Sequence, residues 1–149
     1  SVKACGIEHA VINAGGDIYC LGNKLGKSWR IGVQHPREAN EVIEVVALKD
    51  KAIATSGDYQ RYFIHRGKRY HHILDPISGK PAGSCQSATV IAGTTEQADV
   101  LATASFVLGS DRGIRLLNEI KGVEGMIIDA AGSKHYTEGF LQFIVKEKK

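Results

Sequence analysis

Residues 95–109 have the sequence Thr-Glu-Gln-Ala-Asp-Val-Leu-Ala-Thr-Ala-Ser-Phe-Val-Leu-Gly. A threonine at position 94 or 95 is suited to cap the start of a helix, and Gly109 is suited to end it. This is the first helix that the sequence predicts, because the residues before it form only short strand-like segments. A second helix is predicted from Ser110 to a point before Gly122.

Short strands account for most of the remaining chain. Apolar, strand-like segments lie near residues 10–13, 18–21, 29–33, 42–48, 51–55, 61–66, 69–73 and 87–92. A strand over 123–128, a turn over 129–133 and a last short strand are expected after the helices. Because the strands follow one another in runs, we predict an α+β fold, with a mainly antiparallel sheet and two or three helices, rather than a doubly wound sheet.

Length and charge indicate one globular domain without a nucleic-acid partner. The 149 residues are 43% hydrophobic and 23% charged, which suits a single domain. The formal net charge is +3, but the last four residues supply three of the positive charges and one negative charge. The body of the chain is therefore not basic enough to favour nucleic acid. The sequence contains no apolar run long enough to span a membrane.

The chain has three cysteines, Cys5, Cys20 and Cys85. Their odd number and wide spacing favour free thiols over a zinc site or a disulfide framework. Cys20 lies in a strand-like segment and is expected to be buried. Cys85 follows a loop of candidate functional residues and is the stronger candidate for a reactive thiol.

The first helix places Asp99 and Thr103 four residues apart, on one face. A carboxylate and a hydroxyl are both hard oxygen donors, and together they suit a cation such as magnesium. The neighbours of Asp99 are small and apolar, so the carboxylate is expected to be partly buried and to need a partner. Alternatively, Thr103 hydrogen-bonds the helix backbone and Asp99 is an ordinary solvated residue.

Residues 69–79, Arg-Tyr-His-His-Ile-Leu-Asp-Pro-Ile-Ser-Gly, concentrate ionisable side chains around a turn. His71 and His72 can exchange protons near neutral pH, and Asp75 can orient an imidazole or bind a metal. The alternative is a polar surface hairpin without a chemical role.

Two glycine-containing turns complete the set of candidate segments. In residues 11–19 a strand runs into Asn13, Gly15, Gly16 and Asp17, where paired glycines allow close approach to a ligand. In residues 52–59 a strand ends in Ser56, Gly57 and Asp58, as a nucleotide-binding loop does. Each segment alone is also typical of an ordinary turn.

Taken together, these segments resemble the family of FAD:protein FMN transferases, also known as the ApbE family. The resemblance spans residues 6–139 and lies in the order of four motifs: Asn13-Ala-Gly-Gly-Asp17, Ala54-Thr-Ser-Gly-Asp58, His71-His-Ile-Leu-Asp-Pro with Ser78-Gly-Lys-Pro81, and Ala98-Asp-Val-Leu-Ala-Thr103. One departure is Ser78, which stands where the family usually has Thr and keeps the hydroxyl.

The resemblance implies magnesium-dependent transfer of FMN from FAD to a Thr or Ser hydroxyl of a target flavoprotein, such as a respiratory membrane-complex subunit, with release of AMP. It implies Asp99 and Thr103 as metal ligands, His72 as base or positioning group beside FAD, and Asp75 as its orienter, with His71 as the alternate base. Gly16 and Asp17 are expected near the flavin or ribityl chain, and Ser56 and Gly57 near the nucleotide. Two other functions stay open, a flavin-binding module and an FAD pyrophosphatase that yields FMN and AMP.

Family members are typically roughly twice as long, and residues 1–149 correspond to their C-terminal part. The resemblance therefore implies that an N-terminal half of the same protein acts as a partner, because that half covers much of the FAD and lends a backbone carbonyl to the metal. Residues 1–6 are expected to be the tail of the helix that joins the halves. An extracytoplasmic or membrane-anchored location is expected from the family alone.

Overall fold

The computed structural model describes residues 2–146. Six strands form one antiparallel sheet with the spatial order β1-β2-β5-β8-β9-β10, namely β1 (Ala10–Ala14), β2 (Asp17–Leu21), β5 (Lys51–Gly57), β8 (Cys85–Ala92), β9 (Glu124–Asp129) and β10 (Lys134–Tyr136). Two hairpins stand apart from this sheet, β3 (Trp29–Gln34) with β4 (Val42–Leu48), and β6 (Tyr62–His65) with β7 (Lys68–His71).

Two helices join β8 to β9, α1 (Thr95–Leu108) and α2 (Ser110–Asn118), and short 3-10 helices span Val2–Cys5 and Phe140–Phe143. The expected helix tail at residues 1–6 is thus a 3-10 helix over Val2–Cys5, and Ser1 lies outside the described residues. The mostly antiparallel sheet and the two α-helices confirm the predicted α+β class.

The sheet separates two apolar layers, as the alternation of side chains along a strand requires. On one face Ala52, Ala54 and Val90 pack against Ala98 and Ala102 of α1. On the other face Ile53, Ile91 and Met126 pack against the β3–β4 hairpin. Strand β8 lies between both layers, and all eight of its residues are buried.

Local sequence explains how α1 begins and ends. The Thr94 side chain accepts a hydrogen bond from the backbone N–H of Gln97, which confirms the predicted N-cap. Gly109 ends the helix at φ 83°, in the left-handed region that favours glycine, and it directly precedes α2. Because a Cβ at Gly109 would lie 3.1 Å from the Ser84 side chain, the position is restricted by space as well.

The turn between β1 and β2 consists of Gly15 and Gly16 alone, since Ala14 pairs directly with Asp17. Both glycines have positive φ, 69° and 112°, as two-residue hairpin turns commonly require. The Asn13 side chain accepts the Gly16 N–H at 2.9 Å and closes the turn. This short connection makes Asp17 the first residue of β2.

The first strand is the outer edge of the sheet and is poorly covered. Its residues after Ala10 are exposed, and Val11 and Ile12 keep 40% and 42% of their surface accessible. No helix among residues 2–146 has both the length and the apolar character needed to cross a membrane.

The cysteines differ from expectation at one position. All three are free thiols, and Cys20 is fully buried as predicted. Cys85 is 3% exposed beside Ile73 and Phe106, and its burial raises the pKa of the thiol to about 12, with the Asp129 charge acting in the same direction. The prediction that Cys85 is the reactive thiol is therefore wrong, because thiolate formation and access are both suppressed.

Candidate functional site

Four candidate side chains lie at one end of the sheet, on the face covered by α1. Asp17 begins β2, and Ser56 is the penultimate residue of the neighbouring antiparallel strand β5. Asp99 and Thr103 lie one turn apart on α1, which packs over both strands. Residues from three segments that are distant in sequence therefore converge.

A direct hydrogen bond joins α1 to β5 at this end. The hydroxyl oxygens of Ser56 and Thr103 are 2.8 Å apart, and either one can donate. Ser56 is 7% exposed, whereas Thr103 lies on the exposed side of the helix. The Thr103 hydroxyl therefore bonds Ser56 of β5 and not the helix backbone, which was the alternative.

Asp17 and Asp99 interact as like charges. Burial, with the negative charge of Asp99 as the second cause, raises the pKa of the Asp17 carboxyl. Within residues 2–146 neither carboxylate forms a salt bridge with a basic side chain. Such a pair is stabilised when a cation lies near both groups.

Asp99 itself is exposed, so the expectation that it is partly buried is wrong. Its apolar neighbour Val100 is also 61% exposed, because the sheet covers only the opposite side of α1. The small apolar residues next to Asp99 in the sequence therefore do not indicate that its side chain is buried.

The side chains at this end fit a magnesium ion in donor type. Two carboxylates and two hydroxyls are hard oxygen ligands, and Mg²⁺ commonly binds through one or two carboxylates while keeping water or substrate phosphate as further ligands. Among residues 2–146, no group of three or more His, Cys, Asp or Glu side chains could hold a metal alone. The remaining ligands would thus come from outside these side chains.

The two histidines of the loop have different environments. His71 is buried, its Nε2–H donates to the Ala82 carbonyl at 2.9 Å, and its Nδ1 accepts the Ile73 N–H at 3.3 Å. Its ring also contacts Phe106 edge-on, with centroids 5.6 Å apart. Both nitrogens are engaged in holding the loop, which leaves His71 without a free atom for proton transfer.

His72 is exposed and is oriented by the backbone. Its Nδ1 lies 3.3 Å from the Arg61 carbonyl oxygen, to which the ring N–H donates, and its backbone N–H bonds the same carbonyl. With the proton on Nδ1, the neutral ring leaves Nε2 as a basic lone pair facing solvent.

The Asp75 carboxylate stabilises the turn that follows it and does not bond to a histidine. One carboxylate oxygen accepts the Ile77 N–H at 2.8 Å, and the other accepts the Ser78 hydroxyl at 3.1 Å. These hydrogen bonds lower the pKa of the Asp75 carboxyl. Since no hydrogen bond from Asp75 to either imidazole occurs in the described chain, the contacts do not support its expected orienting role. Ser78 contributes its hydroxyl to this turn.

The two glycines of the candidate motifs have different surroundings, since a Cβ at Gly16 would meet open space and a Cβ at Gly57 would meet the Tyr59 ring. Gly16 lies at the rim of a cleft of about 180 Å³ on the other face of the sheet, which Thr55 and Tyr59 also line. Gly57 lies against the Tyr59 ring, and a Cβ at this position would require that ring to shift. A cleft of this volume is smaller than usual ligand sites, and FAD would extend beyond it.

One ionic cluster was not predicted from the sequence. Asp58, 8% exposed, receives two hydrogen bonds from Arg37 at 2.7 and 2.9 Å, and Arg69 lies 3.6 Å from the same carboxylate. Arg37 follows β3, and Arg69 belongs to β7. Asp58 therefore ties both hairpins to the end of β5. The Ser-Gly-Asp motif marked Asp58, but nothing in the sequence indicated its partners.

Comparison with known proteins gives consistent results. A family profile with the description "ApbE family" matches residues 1–127. An FAD:protein FMN transferase from Treponema pallidum is 37% identical over 138 residues, or 85% of this chain and 38% of that protein. One from Vibrio cholerae is 36% identical over 150 residues, or 97% and 45% of the two chains.

Solved structures agree with the sequence relatives. The ApbE protein from Thermotoga maritima matches with a TM-score of 0.85 at 41% identity, over 93% of this chain and 45% of that one. The flavinyl transferase ApbE from Pseudomonas stutzeri, in its apo form, has a TM-score of 0.78 at 33% identity, over 99% and 47%. This chain thus spans about half the length, or less, of these relatives.

Proposed function

Because this chain belongs to the ApbE family, we propose that it forms part of the active site of a magnesium-dependent FAD:protein FMN transferase. The reaction moves FMN from FAD to a Thr or Ser hydroxyl of an acceptor protein and releases AMP. Beyond the names of the relatives, one observation carries the proposal. Asp17, Ser56, Asp99 and Thr103 converge from three separate segments into a set of hard oxygen donors.

Asp99 and Thr103 are the proposed ligands of the cation, and Asp17 adds a second negative charge beside them. A magnesium ion held there would neutralise the negative charge of the pyrophosphate, which otherwise repels an incoming nucleophile. The exposure of Asp99 and Thr103 leaves this edge of α1 accessible to a substrate.

His72 is the proposed acceptor of the proton from the attacking hydroxyl. As the acceptor oxygen forms its bond to the FMN phosphorus, the bond from that phosphorus to the bridging oxygen breaks and AMP leaves. The hydroxyl proton passes to His72 Nε2, because the contact to the Arg61 carbonyl occupies Nδ1. His71 and Asp75 support this loop through Ala82, Ile73, Ile77 and Ser78.

Mass spectrometry of the reaction products tests the proposal. The intact protein is incubated with FAD, Mg²⁺ and a flavinylation-target peptide, with the same peptide lacking its hydroxyl residue as control. We expect a covalent FMN adduct and AMP only with the complete peptide. Equal release of FMN and AMP with both peptides would identify a pyrophosphatase instead, and unchanged FAD would identify a binding module.

A further inference from the structure

The hydrogen bond between Ser56 and Thr103 has a role that the proposed ligand set does not include. The two oxygens are 2.8 Å apart, and among residues 2–146 the Ser56 hydroxyl has no other hydrogen-bond partner. Ser56 lies near the end of β5, where its backbone pairs with Ala88 of β8, and its side chain is 7% exposed. Thr103, in contrast, is exposed on α1.

A hydroxyl has one donor and two acceptor positions, and its proton rotates freely unless an acceptor fixes it. When such a hydroxyl binds a cation, a lone pair must point to the cation and the proton must point away. The cation also makes the hydroxyl a stronger donor, so a fixed acceptor on its far side strengthens the contact.

We propose that Ser56 is a positioning residue for the Thr103 ligand, whose hydroxyl proton it accepts so that a Thr103 lone pair faces the cation. This inference rests on the proposed function. It gives Ser56 a task other than the nucleotide contact expected from the family motif, because its buried oxygen is directed to α1.

A second hydroxyl pair, which also includes a residue of β5, provides a matched control for the Ser56–Thr103 pair. The hydroxyls of Thr55 and Thr89 are 2.9 Å apart, a second pair of nearly the same length. Thr55 precedes Ser56 and therefore points to the opposite face of the sheet, away from Asp99. Thr89 is fully buried. Removing the Thr89 hydroxyl breaks an equivalent bond at a distance from the proposed cation.

The experiment measures Mn²⁺ binding to the intact protein by electron paramagnetic resonance, without FAD, in Ser56→Ala and Thr89→Val. Loss of a residue that supports a metal ligand typically weakens affinity roughly 10- to 100-fold, and we expect a loss in that range for Ser56→Ala. Thr89→Val should stay within about twofold of the parent protein, as expected of independent sites. Ser56→Cys, which keeps a weak acceptor, should be intermediate.

Three further variants, namely Thr103→Val, its combination with Ser56→Ala, and Asp99→Ala, separate this inference from the function on which it rests. Adding Ser56→Ala to Thr103→Val should cause no further loss, since the hydroxyl that Ser56 orients is already absent. If Asp99→Ala weakens Mn²⁺ binding but Ser56→Ala does not, the positioning role is overturned and the ligand set stands. If Asp99→Ala has no effect, the metal site itself is wrong. Thermal melting of each variant identifies any that does not fold, and Ser56→Cys then replaces Ser56→Ala.

Discussion

At the scale of single residues, neighbouring positions with the same chemistry have separate roles. His71 and His72 are adjacent imidazoles, yet one is buried with both nitrogens bonded and the other is exposed with Nε2 free. The backbone decides this difference, because successive residues at the end of β7 point to opposite sides. Sequence alone left the choice between the two histidines open.

Substituting the two histidines should therefore produce different losses. His72→Ala should lower turnover by about 10²- to 10⁴-fold with little change in FAD affinity or melting temperature, as loss of a general base does. His71→Ala should instead destabilise the fold by about 1–3 kcal/mol, because buried polar groups lose their partners. Single-turnover kinetics, calorimetry and thermal melting separate the two. An equal fall of affinity and turnover in His72→Ala would reassign that residue to substrate positioning.

Asp99→Ala in the intact protein should abolish magnesium-dependent transfer without unfolding the protein. The side chain is exposed on α1, and alanine is a better helix former than aspartate. Thr103→Ala should be milder, since water can replace a neutral ligand. Transfer rates over a range of Mg²⁺ concentrations, with circular dichroism as the control for folding, measure both effects. Near-normal transfer by the Asp99 variant at limiting Mg²⁺ would exclude it as a ligand.

Cys5, and not Cys85 as the sequence suggested, should be the reactive thiol. Cys5 is exposed, whereas burial raises the pKa of Cys20 to about 11 and that of Cys85 to about 12. Because a raised pKa lowers the thiolate fraction at every pH below it, only Cys5 should react with a thiol reagent near pH 8 in the native protein. Mass spectrometry after alkylation would locate the label, and rapid labelling of Cys85 would contradict its buried position.

At the scale of elements, the two hairpins outside the main sheet depend on one carboxylate. Arg37 lies at the end of the β3–β4 hairpin, Arg69 lies in the β6–β7 hairpin, and Asp58 contacts both. The second hairpin leads directly into His72. The ionic cluster therefore connects the position of the proposed base to the end of β5.

Asp58→Asn should loosen both hairpins while leaving the sheet intact. The substitution removes the negative charge between the two guanidinium groups. We expect the free energy of unfolding to fall by about 1–3 kcal/mol, and the partial exposure of the arginines limits this loss. Hydrogen exchange should rise at β6 and β7 but not in β8. Lys134→Met is the matched control for β6 and β7, since it breaks the 2.6 Å Lys134–Glu44 salt bridge, which joins β10 to β4 and does not include the β6–β7 hairpin. The same exchange pattern in both variants would argue against a specific link.

Much of the element order could be predicted from the sequence, because strands and helices are local patterns. Turn residues and apolar runs marked eight strands before the first helix, and Thr94 and Gly109 marked its ends. The like-charge interaction of Asp17 with Asp99 and the contact of Asp58 with Arg37 could not be predicted in the same way. They depend on which strands pair and on where α1 lies, and no residue pattern within one segment contains that information.

At the scale of the whole molecule, the edge strand β1 combines exposed apolar side chains with an open backbone edge. Val11 and Ile12 on β1 and Ile7 before it each leave about two-fifths of their surface open. One side of β1 has no strand partner in the described chain. Exposed apolar edges favour association with another chain or segment.

Residues 1–149 expressed alone should accordingly bind FAD weakly and self-associate. The described cleft is too small to enclose FAD, so few contacts would offset the entropy of fixing a large ligand. Fluorescence titration with FAD and light scattering measure the two properties. Ile12→Lys should reduce association, whereas a lysine at the already solvated Glu38 should not. Tight FAD binding by a monomer would instead indicate a self-sufficient flavin domain.

Adjacent hydroxyls on β5 make the length of that strand critical. Thr55 bonds Thr89 on one face and Ser56 bonds Thr103 on the other. Deleting one residue upstream within β5 would shift its pairing with β8 and exchange the two faces, turning Ala52 and Ala54 away from α1 and Ile53 toward it. Point substitutions can change one contact at a time, but a single-codon deletion changes both layers at once. In a library of in-frame deletions, β5 should therefore tolerate fewer variants than the exposed edge strand β1.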